Sequence, residues 1–182
     1  NADQKTAFTT IFWNQFNAQR GYNSFNLALA QHLEKALDDN GKFLEFKEYV
    51  KSKGYNWERN ISRFAASRLD LALEMAKEVD PELSTDVIRT RILNNEVNVS
   101  VEAFAAEMKE FIENKQNPNF RILFFVDEVS QFIGEHRDLL LQLQSLVKRL
   151  DEVCESRCWI ACTAQQTLEE VVTNVGGNAS NP

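Results

Sequence analysis

Two short apolar runs of strand length, separated by one amphipathic stretch of helix length, constrain this chain more than anything else in it. The first run, Phe120 to Val126, follows the break Asn117-Pro118-Asn119, and the second is Cys158-Trp159-Ile160-Ala161-Cys162-Thr163. Neither alternates cleanly between polar and apolar residues, so each suits a strand buried on both faces, as in a parallel sheet. Between them, Leu139, Leu140, Leu143, Leu146, Val147 and Leu150 form a wide apolar stripe on a helix from about Arg137 to Glu155. Strand, helix, strand in that order predicts a βαβ unit, with parallel strands joined by a right-handed crossover. Ligands bind such sheets beyond the carboxyl ends of the strands. Asp127-Glu128 ends the first strand, and Thr163, Ala164 and Gln165 end the second. If the strands are neighbours, these polar groups share one edge.

The rest of the chain reads as helix. Phe8, Ile11, Phe12, Phe16 and Ala18 lie near helical spacing from about Gln4 to Arg20, and Gly21 ends the pattern. Ser24 is the expected N-cap of a helix whose face is Leu27, Ala30, Leu33 and Leu37, with Gly41 past its end. Phe43, Phe46, Tyr49 and Val50 make the next, closed by Gly54. One long helix is expected from Trp57 to Val79, stopped by Asp80-Pro81. A short helix from Ser84 to Leu93 would bury Val87, Ile88 and Leu93; another, capped by Ser100, would turn Phe104, Met108, Phe111 and Ile112 inward. A last short helix is expected at about Gln166 to Thr173. The fold class is thus α/β and predominantly helical. Residues 3–117 read as a helical segment, 118–175 as the strand-bearing half of a nucleotide-binding core, and 176–182 as a flexible tail.

A hydrophobic fraction of 43% supports a real core, and a formal net charge of −7 argues against a general nucleic-acid or anionic-membrane binder. No apolar run is long enough for a transmembrane helix, and no signal peptide is evident, so a cytoplasmic location is the default. Asn1-Ala2 reads as a cloning remnant outside the fold.

An apolar strand followed by Asp-Glu has the form of a Walker B motif. There the Asp helps to hold a magnesium ion that bridges nucleotide phosphates, and the adjacent Glu polarises the attacking water. A polar residue at the tip of the neighbouring strand, Thr163 or Gln165, suits a sensor of the terminal phosphate. The phosphate loop itself, G-x-x-x-x-G-K-[ST], is absent. The only Gly-Lys pair, Gly41-Lys42, precedes Phe43 and reads as a helix end.

The stretches RILFFVDEVSQFIG and RDLLLQLQSLVKRLDEVCESRCWIACTAQQ resemble the BrxC-type (PglY-like) P-loop ATPases of bacterial BREX phage-defence systems. The resemblance extends upstream through FWNQFNAQRGYNSFNLALAQHLEKAL and GKFLEFKEYVKSKGYNW, so it covers about Phe8 to Glu170. It implies a partial AAA-like P-loop core with a large helical insertion, cut from a multidomain parent whose Walker A segment lies upstream. It would make Asp127 the magnesium-site acid, acting through water, Glu128 the catalytic acid, and Thr163 the sensor position, with Gln165 as a second candidate. ATP and Mg would be cofactors of the parent, and neither is expected to bind this piece tightly. Self-association and other phage-defence proteins are the expected partners. DNA is an open partner for the parent and is not indicated by this segment.

Two other readings stay open: a non-enzymatic helical interaction module in which Asp127-Glu128 merely ends a strand, and a switch NTPase of another P-loop family. The remaining candidates read as structural. Cys154, Cys158 and Cys162 are expected on a helix end and a strand, a spacing that does not bring them together around a metal with His136 as fourth ligand. His32 is expected in an ordinary surface or core position. Arg20, Arg137, Arg149 and Arg157 are each formally able to serve as an arginine finger, with surface ion pairing the default. Phe8, Phe12, Trp13 and Phe16 form an aromatic face suited to helix packing.

Overall fold

Capping side chains set where several helices begin in the computed structural model, which describes residues 6–134 and 136–164. These fall into two units. One runs from Phe12 to Asn98; the other joins the residues up to Ile11 with those from Val99 onward. Their boundary lies inside the first helix, α1 (Ala7–Gln19). The expected class, predominantly helical α/β with one parallel strand pair, is the class observed.

The unit from Phe12 to Asn98 contains only helices among its described residues. After α1 come α2 (Leu27–Leu29), a π-helical turn (Ala30–Glu34), α3 (Lys35–Asp39), α4 (Phe43–Ser52), α5 (Trp57–Ser67), α6 (Leu69–Val79) and α7 (Thr85–Leu93). The cap of α2 is Asn26 and not Ser24: its carboxamide oxygen accepts from the Leu29 N–H at 2.9 Å. Asn56 caps α5 in the same way, accepting from the Arg59 N–H at 2.8 Å. The single helix expected from Trp57 to Val79 breaks at Arg68 (φ −136°, ψ 32°). The Arg68 guanidinium reaches back to donate to the Tyr55 hydroxyl at 3.0 Å and lies over that ring. A tertiary contact here overrides helix propensity.

The interior is built from Leu29, Leu33, Leu37, Phe46, Trp57 and Phe64, all at most 1% exposed. Phe46 meets Trp57 edge to face at 4.8 Å, and Phe64 stacks on Trp57 at 5.2 Å, the offset geometries that aromatic quadrupoles favour. In α7 the buried residues are Ile88 and Ile92, one i,i+4 ridge. Val87 and Leu93, expected inside, are exposed because the helix presents the neighbouring face.

The second unit carries α8 (Val101–Asn114), β1 (Ile122–Val126), α9 (Val129–Ile133), α10 (Arg137–Cys154) and β2 (Cys158–Cys162). The Ser100 hydroxyl caps α8, accepting from the Ala103 N–H at 3.2 Å. The strands pair in parallel, from Ile122 against Cys158 to Val126 against Cys162. Helix α8 packs on α10 and on the sheet through Phe104 and Phe124, whose centroids are 6.0 Å apart; α10 packs on β2.

This corrects the expectation of strands buried on both faces. Ile122, Phe124 and Val126 are half-buried, whereas Leu123 and Phe125 on the other face are 64% and 67% exposed. Trp159, in register with Leu123, is 58% exposed. A short apolar run looks the same whether one face is covered or two. The covering layer on the Phe124 side comes from α8 and α10.

Candidate functional site at the carboxyl end of the strand pair

Parallel pairing in the observed register brings Thr163, the residue after β2, beside the chain leaving β1. The ladder continues past both strands: the Thr163 N–H donates to the Val126 carbonyl at 3.0 Å, and the Val129 N–H donates to the Thr163 carbonyl at 3.0 Å. This double tie fixes the Thr163 side chain over Asp127-Glu128. Its hydroxyl donates to Oδ1 of Asp127 and accepts from the Glu128 N–H at 2.9 Å. One hydroxyl therefore uses both its donor and its acceptor capacity on the two acidic residues. Asp127, Glu128 and Thr163 share one edge of the parallel pair and are exposed.

Glu128 adopts the left-handed conformation (φ 52°, ψ 40°), which a residue with a Cβ takes only at a cost of about 1–2 kcal/mol. It is the N-cap residue of α9, a five-residue helix that the sequence pattern does not announce and that begins immediately after the acids. Gly134 closes α9 at φ 49°, ψ −128°, a region open to glycine. The sharp turn at Glu128 lets Val129 and Ile133 be buried, at 6% and 2% exposure, while the carboxylates stay in solvent.

The other residues named from the sequence fall as follows. Gln165 and the helix expected at about Gln166 to Thr173 lie outside the described residues. Gly41-Lys42 is the end of α3: Gly41 sits at φ 66°, its N–H donates to the Asp38 carbonyl at 2.8 Å, and the Lys42 ammonium pairs with Glu45 at 2.7 Å. It is no phosphate loop. His32 hydrogen-bonds the Glu96 carbonyl at 2.7 Å on the surface. Arg20 lies over the Tyr22 and Phe16 rings at 4.0 and 4.4 Å and donates to Asn17, and Arg149 pairs with Glu152 at 3.4 Å. Phe8, Phe12, Trp13 and Phe16 are all buried.

Cys154 is buried at the end of α10 and Cys158 at the start of β2, as small core residues, whereas Cys162 is exposed at the far end of β2. Among the described residues no group of three or more His, Cys, Asp or Glu side chains could hold a metal ion. A magnesium site of the nucleotide type does not require one, because phosphates and waters supply most of the ligands. The donors here, one carboxylate tied to one hydroxyl, fit that partial role, and among the described residues no phosphate cradle accompanies them.

Sequence reasoning missed Glu34. It is fully buried beside α5, where Oε2 accepts from the Asn23 N–H at 2.6 Å and Oε1 from the Trp57 indole N–H at 2.7 Å. Burial pushes its carboxyl up to about 7, against the pull of those two bonds and of the Lys47 and Arg20 charges. An acid beside Leu33 and near Leu37 in an apolar stripe is the signal that marks it.

No family model matches the chain, and no solved structure matches it significantly. Among the described residues no helix is long and apolar enough to cross a membrane.

Proposed function

We propose that this chain carries the Walker B and sensor strands of a P-loop ATPase, in a parent resembling the BREX-type phage-defence ATPases. The observation that supports the reading best is the Thr163 hydroxyl bridging Asp127 and the Glu128 backbone at the carboxyl end of a parallel pair. That is the edge where α/β sheets bind ligands. Asp127 is the acid for a water-mediated magnesium contact, and Glu128 is the group that orients and deprotonates the attacking water. Thr163 positions Asp127 and reports on the terminal phosphate. Bound Mg-ATP would supply the phosphoryl group and the charge that these residues act on. The phosphate loop has to come from the parent's own chain upstream, and oligomerisation and other defence proteins are the partners this reading implies.

The decisive experiment is ATP turnover by the parent carrying Glu128→Gln, a swap that keeps side-chain shape and removes the base. Turnover is expected to fall by about 10²–10⁴-fold with nucleotide binding retained, the range for loss of a general base. Equal turnover in variant and wild type would withdraw the Walker B assignment.

A second reading rests on a different observation. Leu123, Phe125 and Trp159 expose an apolar sheet face, as in a helical interaction module whose acids only end a strand. Under that reading Glu128→Gln changes nothing in catalysis, and the parent's turnover, if any, is carried elsewhere.

A further inference from the structure

The formal net charge of −7 is spread unevenly along the chain. Residues 47–68 hold six Lys and Arg side chains against two acids, Glu48 and Glu58, a local excess of positive charge in an acidic molecule. This stretch is the second half of α4, the turn after it and α5. The Lys47 ammonium lies 3.1 Å from the Glu58 carboxylate and donates to the Gly21 carbonyl at 3.0 Å, which neutralises one acid and clasps α4 to the start of α5. Arg68 is engaged by Tyr55. Lys51, Lys53, Arg59 and Arg63 remain. All four are exposed, and among the described residues none has an ion-pair partner.

Helix geometry gathers these cations at one corner. Lys51 is in the last turn of α4 and Lys53 is its C-cap. The turn Gly54-Tyr55-Asn56 follows, and Arg59 lies in the first turn of α5, its N–H held by the Asn56 cap. Arg63 is one helical turn further along, at i+4, where side chains are neighbours on one surface. Helix α5 buries Trp57 and Phe64 and turns Arg59, Ser62, Arg63 and Ala66 outward. That is an i, i+3, i+4, i+7 face with only small side chains between the guanidinium groups. The positive end of the α5 dipole lies at the same corner and adds to its field.

The surroundings of the patch select its partner. No large apolar side chain between residues 45 and 86 is exposed. A protein interface is built on apolar and aromatic anchors, and a membrane-surface helix buries an apolar face; this corner offers neither. Single strands are held by stacking on open aromatic rings. Here Lys53 stands 4.9 Å from the Tyr49 centroid and Arg68 5.6 Å from that of Tyr55, so cations cover both rings. Duplex RNA is read over a long footprint through its 2′-hydroxyls, more than one corner with four cations covers. We propose that the α4–α5 corner binds the phosphate backbone of double-stranded DNA, without sequence preference, through Lys51, Lys53, Arg59 and Arg63. Phosphates along a duplex supply dense negative charge to such a cluster, and the acidic remainder of the chain repels the duplex and leaves this corner as the point of approach. The corner belongs to the unit from Phe12 to Asn98 and uses no residue of the strand-end acid site, so it stands independently of the ATPase reading.

The test titrates the whole chain into a fluorescently labelled DNA duplex of mixed sequence and reads anisotropy from about 50 to 200 mM salt. Four phosphate contacts predict a slope of log K against log salt of about −3.6, a loss of about 10²-fold across that range. A duplex of unrelated sequence should bind equally. Arg59→Gln with Arg63→Gln should halve the slope and weaken binding at the lower salt by about 10–10²-fold, and Lys51→Gln with Lys53→Gln should do the same. Lys148→Gln, an exposed lysine on α10, should change nothing. Unfolding midpoints check that each variant folds, and if one pair does not, the other carries the test. The proposal is overturned by any of four results: no binding at the lower salt, an affinity indifferent to salt, wild-type affinity in either folded pair, or tighter binding to a single strand, duplex RNA or anionic vesicles than to duplex DNA.

Discussion

At the residue scale, Glu34 couples stability to pH. Its carboxyl titrates near 7 in the folded chain and near 4.5 when unfolded, so between those values the folded state holds the extra proton. Stability contributed by this group is fully present below pH 4.5, falls as pH rises, and is lost above about 7. The span amounts to on the order of 3 kcal/mol. Denaturant midpoints of wild type and Glu34→Gln from pH 4.5 to 8 should therefore converge as pH rises, because the variant lacks this slope. The variant should also start lower. A Gln presents one amide NH₂ to a site where both oxygens accept, leaving a buried donor facing a donor at a cost of about 1–3 kcal/mol. A parallel difference across the whole range would show that Glu34 does not titrate in this window. Glu128 offers the opposite trade. Glu128→Gly should raise stability by about 0.5–1 kcal/mol, because glycine adopts φ 52° without the Cβ clash. Unfolding midpoints of the isolated chain read this directly. Under the proposed ATPase function the same change removes the base, so a gain in stability with a loss of turnover is the signature that reading predicts.

At the element scale, caps and breaks decide where the helical unit turns. Asn56 satisfies one of the open N–H groups at the start of α5, the helix that brings in Trp57 and Phe64. Asn56→Ala should cost about 1 kcal/mol, seen as a lower urea midpoint with an unchanged slope. The strand pair was legible because two apolar runs flank an amphipathic helix, and its polar tips were legible because parallel strands end together. Helix α9 was not. Its five residues are too few for a period, and it exists because Glu128 turns left-handed and Val129 and Ile133 find buried sites. The break at Arg68 was hidden for a related reason. The apolar stripe from Ile61 to Ala76 keeps helical phase across it, and the Tyr55 contact that accompanies the break joins residues 13 apart in sequence.

At the whole-molecule scale, the strand-bearing unit presents Leu123, Phe125 and Trp159 on one sheet face. Exposed aromatic and branched residues in register are adhesive in water. Replacing Phe125 and Trp159 together by Thr keeps strand propensity and removes most of that surface. The double variant should bind less of a dye such as ANS and show less concentration-dependent self-association by sedimentation than wild type. Unchanged dye binding would place the adhesive surface elsewhere. The acid cluster lies at the end of this same sheet.

The sequence by itself determined the predominantly helical class, the βαβ order, the shared edge of Asp127, Glu128 and Thr163, and the absence of a phosphate loop around Gly41-Lys42. Those features are local or follow from strand direction, and periodicity and spacing encode them. Tertiary structure alone decided that the strands are covered on one face and that Glu34 sits buried against Trp57. Each depends on which surface another segment brings up. A hydrophobic pattern records that a residue prefers burial, and it does not record what will be there to bury it.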